Sequence, residues 1–266
     1  MMLGPALLFC PADRPERYAK ALAAADTVII DLEDAVAPAD KASARAALVA
    51  HEADPDRAIV RVNPAGGADH EADLEALAGT SYRTVMLAKA ERGAQLDGLA
   101  AAGYRVIALC ETALGVENCA EIARHSAVAG VMWGAEDLVA GMGGRSSRHP
   151  DGSYRDVARY ARSRVLLAAK AAGRLAIDAV HLEIADAEGL RREALDAVAC
   201  GFDATACIHP SQAAVIREAY APAAEQRAWA QRVIAAAEGQ HGVFGFEGRM
   251  IDEPVLRQAR AILGTD

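Results

Sequence analysis

Aromatic residues are scarce in this chain, at 5% of 266 residues, and positive charge is outnumbered, with 28 Lys+Arg against 37 Asp+Glu and a formal net charge of -9. No basic block interleaves with aromatics, so nucleic acid and anionic membrane surfaces are unsupported as partners. No run reaches the roughly 20 apolar residues of a membrane span. The apolar stretch 6–9 is too short for a signal-peptide core and lacks a basic flank. Cys10, Cys110, Cys119, Cys200 and Cys207 are odd in number and show no C-x-x-C spacing, which argues against a disulfide framework and structural zinc. Reduced thiols of a cytosolic protein are the expectation.

What the chain does have is alternation. Short apolar runs at 6–9, 27–30, 58–62, 84–87, 106–110, 130–133, 174–177 and 204–208 read as eight strands. Alanine-rich segments of helical period fill the gaps at 15–25, 41–50, 68–78, 93–102, 116–125, 155–172 and 187–200. Eight strands with intervening helices predict an α/β fold, a closed (β/α)8 TIM barrel, over 1–220, and barrels of roughly 250 residues commonly form one unit. Pro15 suits a first helical turn, and Gly173 and Gly201 suit left-handed helix ends. Residues 221–266 exceed one closing helix and predict a C-terminal helical extension that either caps its own barrel or, preferred, packs on a neighbouring subunit. The Gly/Ser/Arg/His-rich stretch 141–154 is either a substrate-covering loop or a surface excursion.

In such a barrel, polar residues at strand C-terminal ends share one face. Six ends carry them: Asp31-Leu32-Glu33-Asp34, Arg61-Val62-Asn63, Lys89, Glu111-Thr112, Glu136-Asp137 and His209-Pro210-Ser211-Gln212. Carboxylates with an arginine and a lysine, and no Ser–His pairing, point to a hard cation holding an oxygen-rich substrate, for which Mg²⁺ is the natural choice. No histidine pair has zinc-ligand spacing. Any of the acidic residues after the run 27–30 could instead cap a helix. A strand-end arginine wants a carboxylate, so Arg61 pairs with Asp34 or meets a substrate, with a structural ion pair as the rival. Lys89 is either a Schiff-base nucleophile or, preferred, a contact to a substrate phosphate or carboxylate.

Seven ordered motifs then carry a resemblance: Pro11-Ala12-Asp13-Arg14, Val28-Ile29-Ile30-Asp31-Leu32-Glu33-Asp34-Ala35, Arg61-Val62-Asn63, Glu111-Thr112-Ala113, Gly134-Ala135-Glu136-Asp137-Leu138, Cys207-Ile208-His209-Pro210-Ser211-Gln212 and Met250-Ile251-Asp252-Glu253-Pro254. Together they resemble the citrate lyase β-subunit-like branch of the HpcH/HpaI aldolase family, which includes malyl-CoA and citramalyl-CoA lyases. The resemblance implies a homotrimeric barrel using Mg²⁺ to cleave or form a carbon–carbon bond in a 3-hydroxyacyl-CoA, yielding acetyl-CoA and a 2-oxoacid. Glu111 and Asp137 match the metal ligands, with Glu111 also at the substrate. Arg61 matches the arginine that holds the oxoacid carboxylate, and Glu33 and Asp34 match acidic residues that orient the site. Asp252 matches an aspartate that exchanges the proton at the acetyl carbon in a neighbouring subunit's site. Arg14 and Lys89 resemble contacts near the CoA portion. An acyl-carrier-protein thioester substrate, as for the true citrate lyase β-subunit, and an aldolase acting on free 2-oxo-3-deoxy acids are the alternatives.

Overall fold

The computed structural model describes residues 4–240 and 242–264. The chain divides into two compact units, Met1–Glu218 and Ala219–Asp266. In the first, eight parallel strands close on themselves in chain order: β1 Ala6–Pro11, β2 Thr27–Asp31, β3 Ala58–Val62, β4 Thr84–Leu87, β5 Arg105–Cys110, β6 Val128–Trp133, β7 Leu175–Asp178 and β8 Ala204–Cys207. Pairing of β1 with β8 shuts the barrel, so no strand edge is left to solvent. All eight expected strands are present, each within two residues of its expected bounds.

Helices α1 Tyr18–Ala24, α2 Lys41–Ala50, α3 Ala68–Ala78, α4 Asp97–Ala101, α5 Ala113–Arg124, α7 Asp156–Ala171 and α8 Ala187–Cys200 occupy the seven expected segments. Two further helices were not expected: α6 Ala135–Gly141 directly after β6, and α9 Pro210–Tyr220 after β8. Pro15 opens a 3-10 turn before α1, and Gly173 and Gly201 take positive φ of 65° and 100° behind α7 and α8. Arg217 of α9 reaches back to Asp26 at 2.9 Å, tying the closing helix to the start of β2.

Side chains alternate along a strand, so every second residue faces the barrel axis. Leu7, Ile29, Ile59, Met86, Ile107, Leu109, Met132 and Ile177 form this interior. The same alternation carries Asp31 on from Ile29, Arg61 on from Ile59 and Glu111 on from Leu109, so all three point inward at the C-terminal mouth.

The second unit holds α10 Ala224–Ala237, a two-stranded hairpin of β9 Phe244–Phe246 and β10 Arg249–Ile251, and α11 Glu253–Leu263. The hairpin was not expected. Its turn is Glu247-Gly248, both at positive φ, 48° and 74°, the twist that a two-residue hairpin needs. Ala230, Val233, Ile251 and Ala259 form the unit's buried cluster, with Trp229, Phe244 and Phe246 packed against it. Asp252 caps α11 through its carboxylate, which accepts from Val255 N at 3.3 Å. His241, in the expected tail segment, lies outside the described residues. Among the described residues no helix is long and apolar enough to cross a membrane.

Candidate active site

A cavity of about 320 Å³ opens at the barrel mouth. Its polar wall is Asp31, Asp34, Arg61, Glu111, Glu136 and Asp137, and its apolar wall includes Phe9, Leu109, Met132, Trp133 and Val180. Strand order explains the gathering: β2 and β3 are neighbours, as are β5 and β6, and Asp31, Arg61, Glu111 just past β5 and the start of α6 behind β6 stand at the same end.

Arg61 corrects one expectation. Its guanidinium pairs with Asp31, at 2.6 Å from Nε and 2.5 Å from Nη2, and its Nη1 lies 3.0 Å from Glu33, rather than meeting Asp34. The reason is register, since Asp31 and Arg61 stand opposite one another on β2 and β3 with the same inward parity, while Asp34 lies beyond the strand and is largely exposed. The Asp31 carboxylate also accepts from Glu33 N at 2.9 Å and Ala35 N at 3.1 Å, closing the turn after β2. Phe9 lies against the Arg61 guanidinium, 4.9 Å from ring centre to Cζ. Burial opposes the charge on Arg61, but Asp31 and Glu33 outweigh it and hold its pKa above the ordinary value.

Glu111 is 3% exposed. Burial, with the like charge of Asp137 added, pushes its carboxyl up to about 8 despite Arg61 and Lys89. Space for it is left by Gly134, where a Cβ would stand 2.8 Å from Glu111 Oε2 and 3.0 Å from its Cβ. Asp137 comes from the first turn of α6 and is partly exposed. Glu33 and Lys89 bind the lining without forming it. The Lys89 ammonium contacts Glu33, lies 3.4 Å from Asp34 and lies 3.3 Å from Asp137. Its backbone N donates to Glu111 Oε1 at 3.2 Å, from a left-handed conformation with φ of 50° that few non-glycine residues adopt. Burial works against the Lys89 charge, yet Glu33, Asp137 and Glu111 together raise its pKa. Glu33 is raised by burial against the pull of Arg61 and Lys89. In Asp34 burial also opposes ionisation, but the hydrogen bond with Glu33 and the charges of Lys89 and Arg61 win and lower its pKa.

Of the other expected residues, Arg14 is half-exposed beside Asp13 at 3.8 Å and is not part of the cavity wall. Asp252 belongs to the C-terminal unit. His209 shapes its turn, with Nδ1 2.7 Å from Ser211 Oγ, while Gln212 Oε1 accepts from the Ile208 and His209 N–H groups. The stretch 141–154 is pinned: Ser147 donates to Glu136 at 2.6 Å, Arg148 pairs with Glu193, and Tyr154 meets Trp133 edge-on at 5.2 Å.

Sequence reasoning missed two supports. Lys41, 9% exposed, spends all three ammonium protons on Leu32 O, Glu33 O and Asn63 Oδ1, at 2.7–3.0 Å, and so braces the acidic turn from behind. Asn63 in turn donates to Asp73 at 2.7 Å. A lysine at a helix start reads as exposed, and only the long-range pairing with Asn63 reveals it. Gly134 follows a strand run directly, and a glycine in that place is a signal of close approach.

A closed parallel barrel with its ionisable groups at the C-terminal mouth defines an enzyme barrel, since that face carries the chemistry of this architecture. Residues 6–210 match the HpcH/HpaI aldolase/citrate lyase family, and the chain belongs to that family. It is 60% identical over 260 residues to the citrate lyase subunit beta-like protein of Mycobacterium tuberculosis, covering 98% of this chain and 94% of that one. It is 31% identical over 287 residues to the human mitochondrial citramalyl-CoA lyase, covering 96% and 83%. The crystal structure of CitE from Mycobacterium tuberculosis in complex with magnesium, acetoacetate and coenzyme A superposes with a TM-score of 0.96 at 60% identity, covering 99% of this chain and 98% of that one.

Proposed function

We propose that this chain is a Mg²⁺-dependent carbon–carbon lyase that cleaves, or forms, a 3-hydroxyacyl-CoA such as citramalyl-CoA, malyl-CoA or 3-hydroxy-3-methylglutaryl-CoA, giving acetyl-CoA and an oxoacid. The observation that carries this is one cavity in which Arg61 stands beside the buried Glu111 and the charge of Asp137. The complex of its 60% identical relative with magnesium, acetoacetate and coenzyme A supports the same ligand classes here.

The donor set fits the metal. Among the described residues no group of three or more His, Cys, Asp or Glu side chains is arranged to hold an ion. Two carboxylates suit Mg²⁺, which takes few protein ligands and completes its shell with water and substrate oxygens. Glu111 and Asp137 would hold it, and a divalent cation relieves the repulsion from Asp137 that adds to burial in raising the Glu111 pKa. When bound, Mg²⁺ supplies Lewis-acid stabilisation of the oxygen at the carbon that becomes the carbonyl.

Arg61 holds the carboxylate of the oxoacid half and fixes its angle. Glu33 and Asp34, linked through Lys89, orient the cluster from the β2 side. The apolar wall of Phe9, Leu109, Met132 and Val180 excludes water from the breaking bond and strengthens each charge that faces it. The 3-hydroxyl proton would leave to a carboxylate of the cavity wall, its oxygen becoming the carbonyl of the oxoacid, and as the C2–C3 bond breaks its electron pair passes to the thioester enolate. Asp252, reaching the site of a neighbouring copy in a homotrimer, delivers the proton to C2, and in the condensing direction takes it away. Residues 221–266 serve that contact, Arg14 and Lys89 face the CoA portion, and the compartment is the cytosol. Imine chemistry at Lys89 is disfavoured, because its raised pKa keeps the amine protonated where a nucleophile needs the reverse.

The test is release of acetyl-CoA from a panel of 3-hydroxyacyl-CoA thioesters with Mg²⁺ and with chelator. Cleavage of one member that stops on chelation supports the proposal. Cleavage that survives chelation, or that survives Arg61→Ala, refutes it.

A further inference from the structure

A guanidinium can grip a carboxylate by its side edge, Nε with Nη2, or by its end edge, Nη1 with Nη2. In Arg61 the side edge is taken: both Asp31 oxygens sit on it, at 2.6 and 2.5 Å. Asp31 is 1% exposed and is itself held by the Glu33 and Ala35 N–H groups, so this anchor cannot swing. Phe9 flanks the guanidinium. What remains is the end edge, where Nη1 already pairs with Glu33 at 3.0 Å, so a substrate carboxylate would meet Nη2 and share Nη1 with Glu33.

We propose that Asp31 is a positioning residue that occupies the side edge of Arg61 and presents the terminal Nη1/Nη2 edge to the substrate carboxylate. This rests on the reading of Arg61 as the carboxylate holder. Pairing with Asp31 offsets part of the charge that Arg61 would offer an anion. Orientation compensates, since a long flexible side chain must otherwise be ordered at the moment of binding, and misplacement of about 1 Å in a site can cost ~10²-fold in rate. Asp31 also fills two N–H groups that would otherwise go unpaired in a buried place.

The experiment is calorimetric titration of pyruvate into the Mg²⁺-loaded wild type, Asp31→Asn, Arg61→Ala and the double variant, each with and without guanidinium chloride below denaturing concentration. Asp31→Asn is expected to weaken pyruvate by about 10- to 100-fold, the range seen when the partner of a ligating group is removed, while Mg²⁺ affinity stays unchanged. Added guanidinium should restore pyruvate binding to Arg61→Ala, where Asp31 can seat it, and not to the double variant. A purely structural Asp31 produces no such difference in rescue. Unchanged pyruvate affinity in Asp31→Asn, or equal rescue of both variants, overturns the proposal. Should Asp31→Asn fail to fold, Asp31→Glu sets the charge one methylene further out, and pyruvate affinity equal to wild type then overturns it. A wild type that binds no pyruvate overturns it as well, because Arg61 then meets no carboxylate. A wild type that binds pyruvate but cleaves no thioester removes only the lyase reading.

Discussion

Gly134→Ala isolates the placement of Glu111. Gly134 has φ of -131° and ψ of 127°, ordinary extended backbone that alanine adopts without strain. Any effect must therefore come from the added methyl. That methyl would stand 2.8 Å from Glu111 Oε2 and 3.0 Å from Glu111 Cβ, about 0.6 and 0.4 Å inside ordinary contact. Rotation can move the oxygen away, but the Cβ is fixed to β5 and cannot follow. Overpacking of this kind costs about 1–3 kcal/mol, and each kcal/mol lowers Tm by roughly 2–4 °C in a domain of this size. A displaced carboxylate should also weaken Mg²⁺ about tenfold. Thermal unfolding without metal and calorimetric Mg²⁺ titration read the two effects separately. A variant equal to wild type in both would refute the packing of Glu111 against Gly134.

Three further outcomes follow from the same contacts. Glu111 has a folded pKa of about 8 against an ordinary 4.5, so its contribution to metal-free stability is complete below about pH 4.5 and is lost as pH rises through 8. The Tm of the metal-free protein should fall across that window, and Glu111→Gln should flatten the fall; an unaltered profile in the variant counts against the assignment. Lys41→Met leaves Leu32 O, Glu33 O and Asn63 Oδ1 without their donor and should lower stability by about 1–3 kcal/mol in urea unfolding, with no loss counting against the bracing role. Arg61→Ala strands the buried Asp31 charge, so it should destabilise the fold by about 3–5 kcal/mol and abolish oxoacid binding, and a stable variant that binds normally would contradict both.

The barrel was legible because its strands are short apolar runs separated by amphipathic helices, a pattern set by local residue types. Glu111, Asp137 and Arg61 were legible as polar interruptions at the ends of those runs. The partner of Arg61 was not, since that depends on strand register, and only the pairing of β2 with β3 places Asp31 rather than Asp34 opposite it. The α6 helix hid in Gly134-Ala135-Glu136-Asp137, read as a strand-end motif, and α9 hid behind His209-Pro210 for the same reason. The hairpin Phe244–Ile251 was missed because Phe-Gly-Phe is too short for alternation to show and Glu247-Gly248 is an unusual pair for its turn. The grouping of the Lys89 ammonium with Glu33, Asp34 and Asp137 spans three strands and has no local signature.

The most direct test of the lyase reading is to offer the purified protein the same 3-hydroxyacyl group as a CoA thioester, as an acyl-carrier-protein thioester and as the free acid, with and without Mg²⁺. Metal-dependent release of acetyl-CoA and a 2-oxoacid from the CoA thioester, with little from the other two, is the expected result. Turnover confined to the carrier-protein thioester or the free acid, or turnover indifferent to the metal, would contradict it.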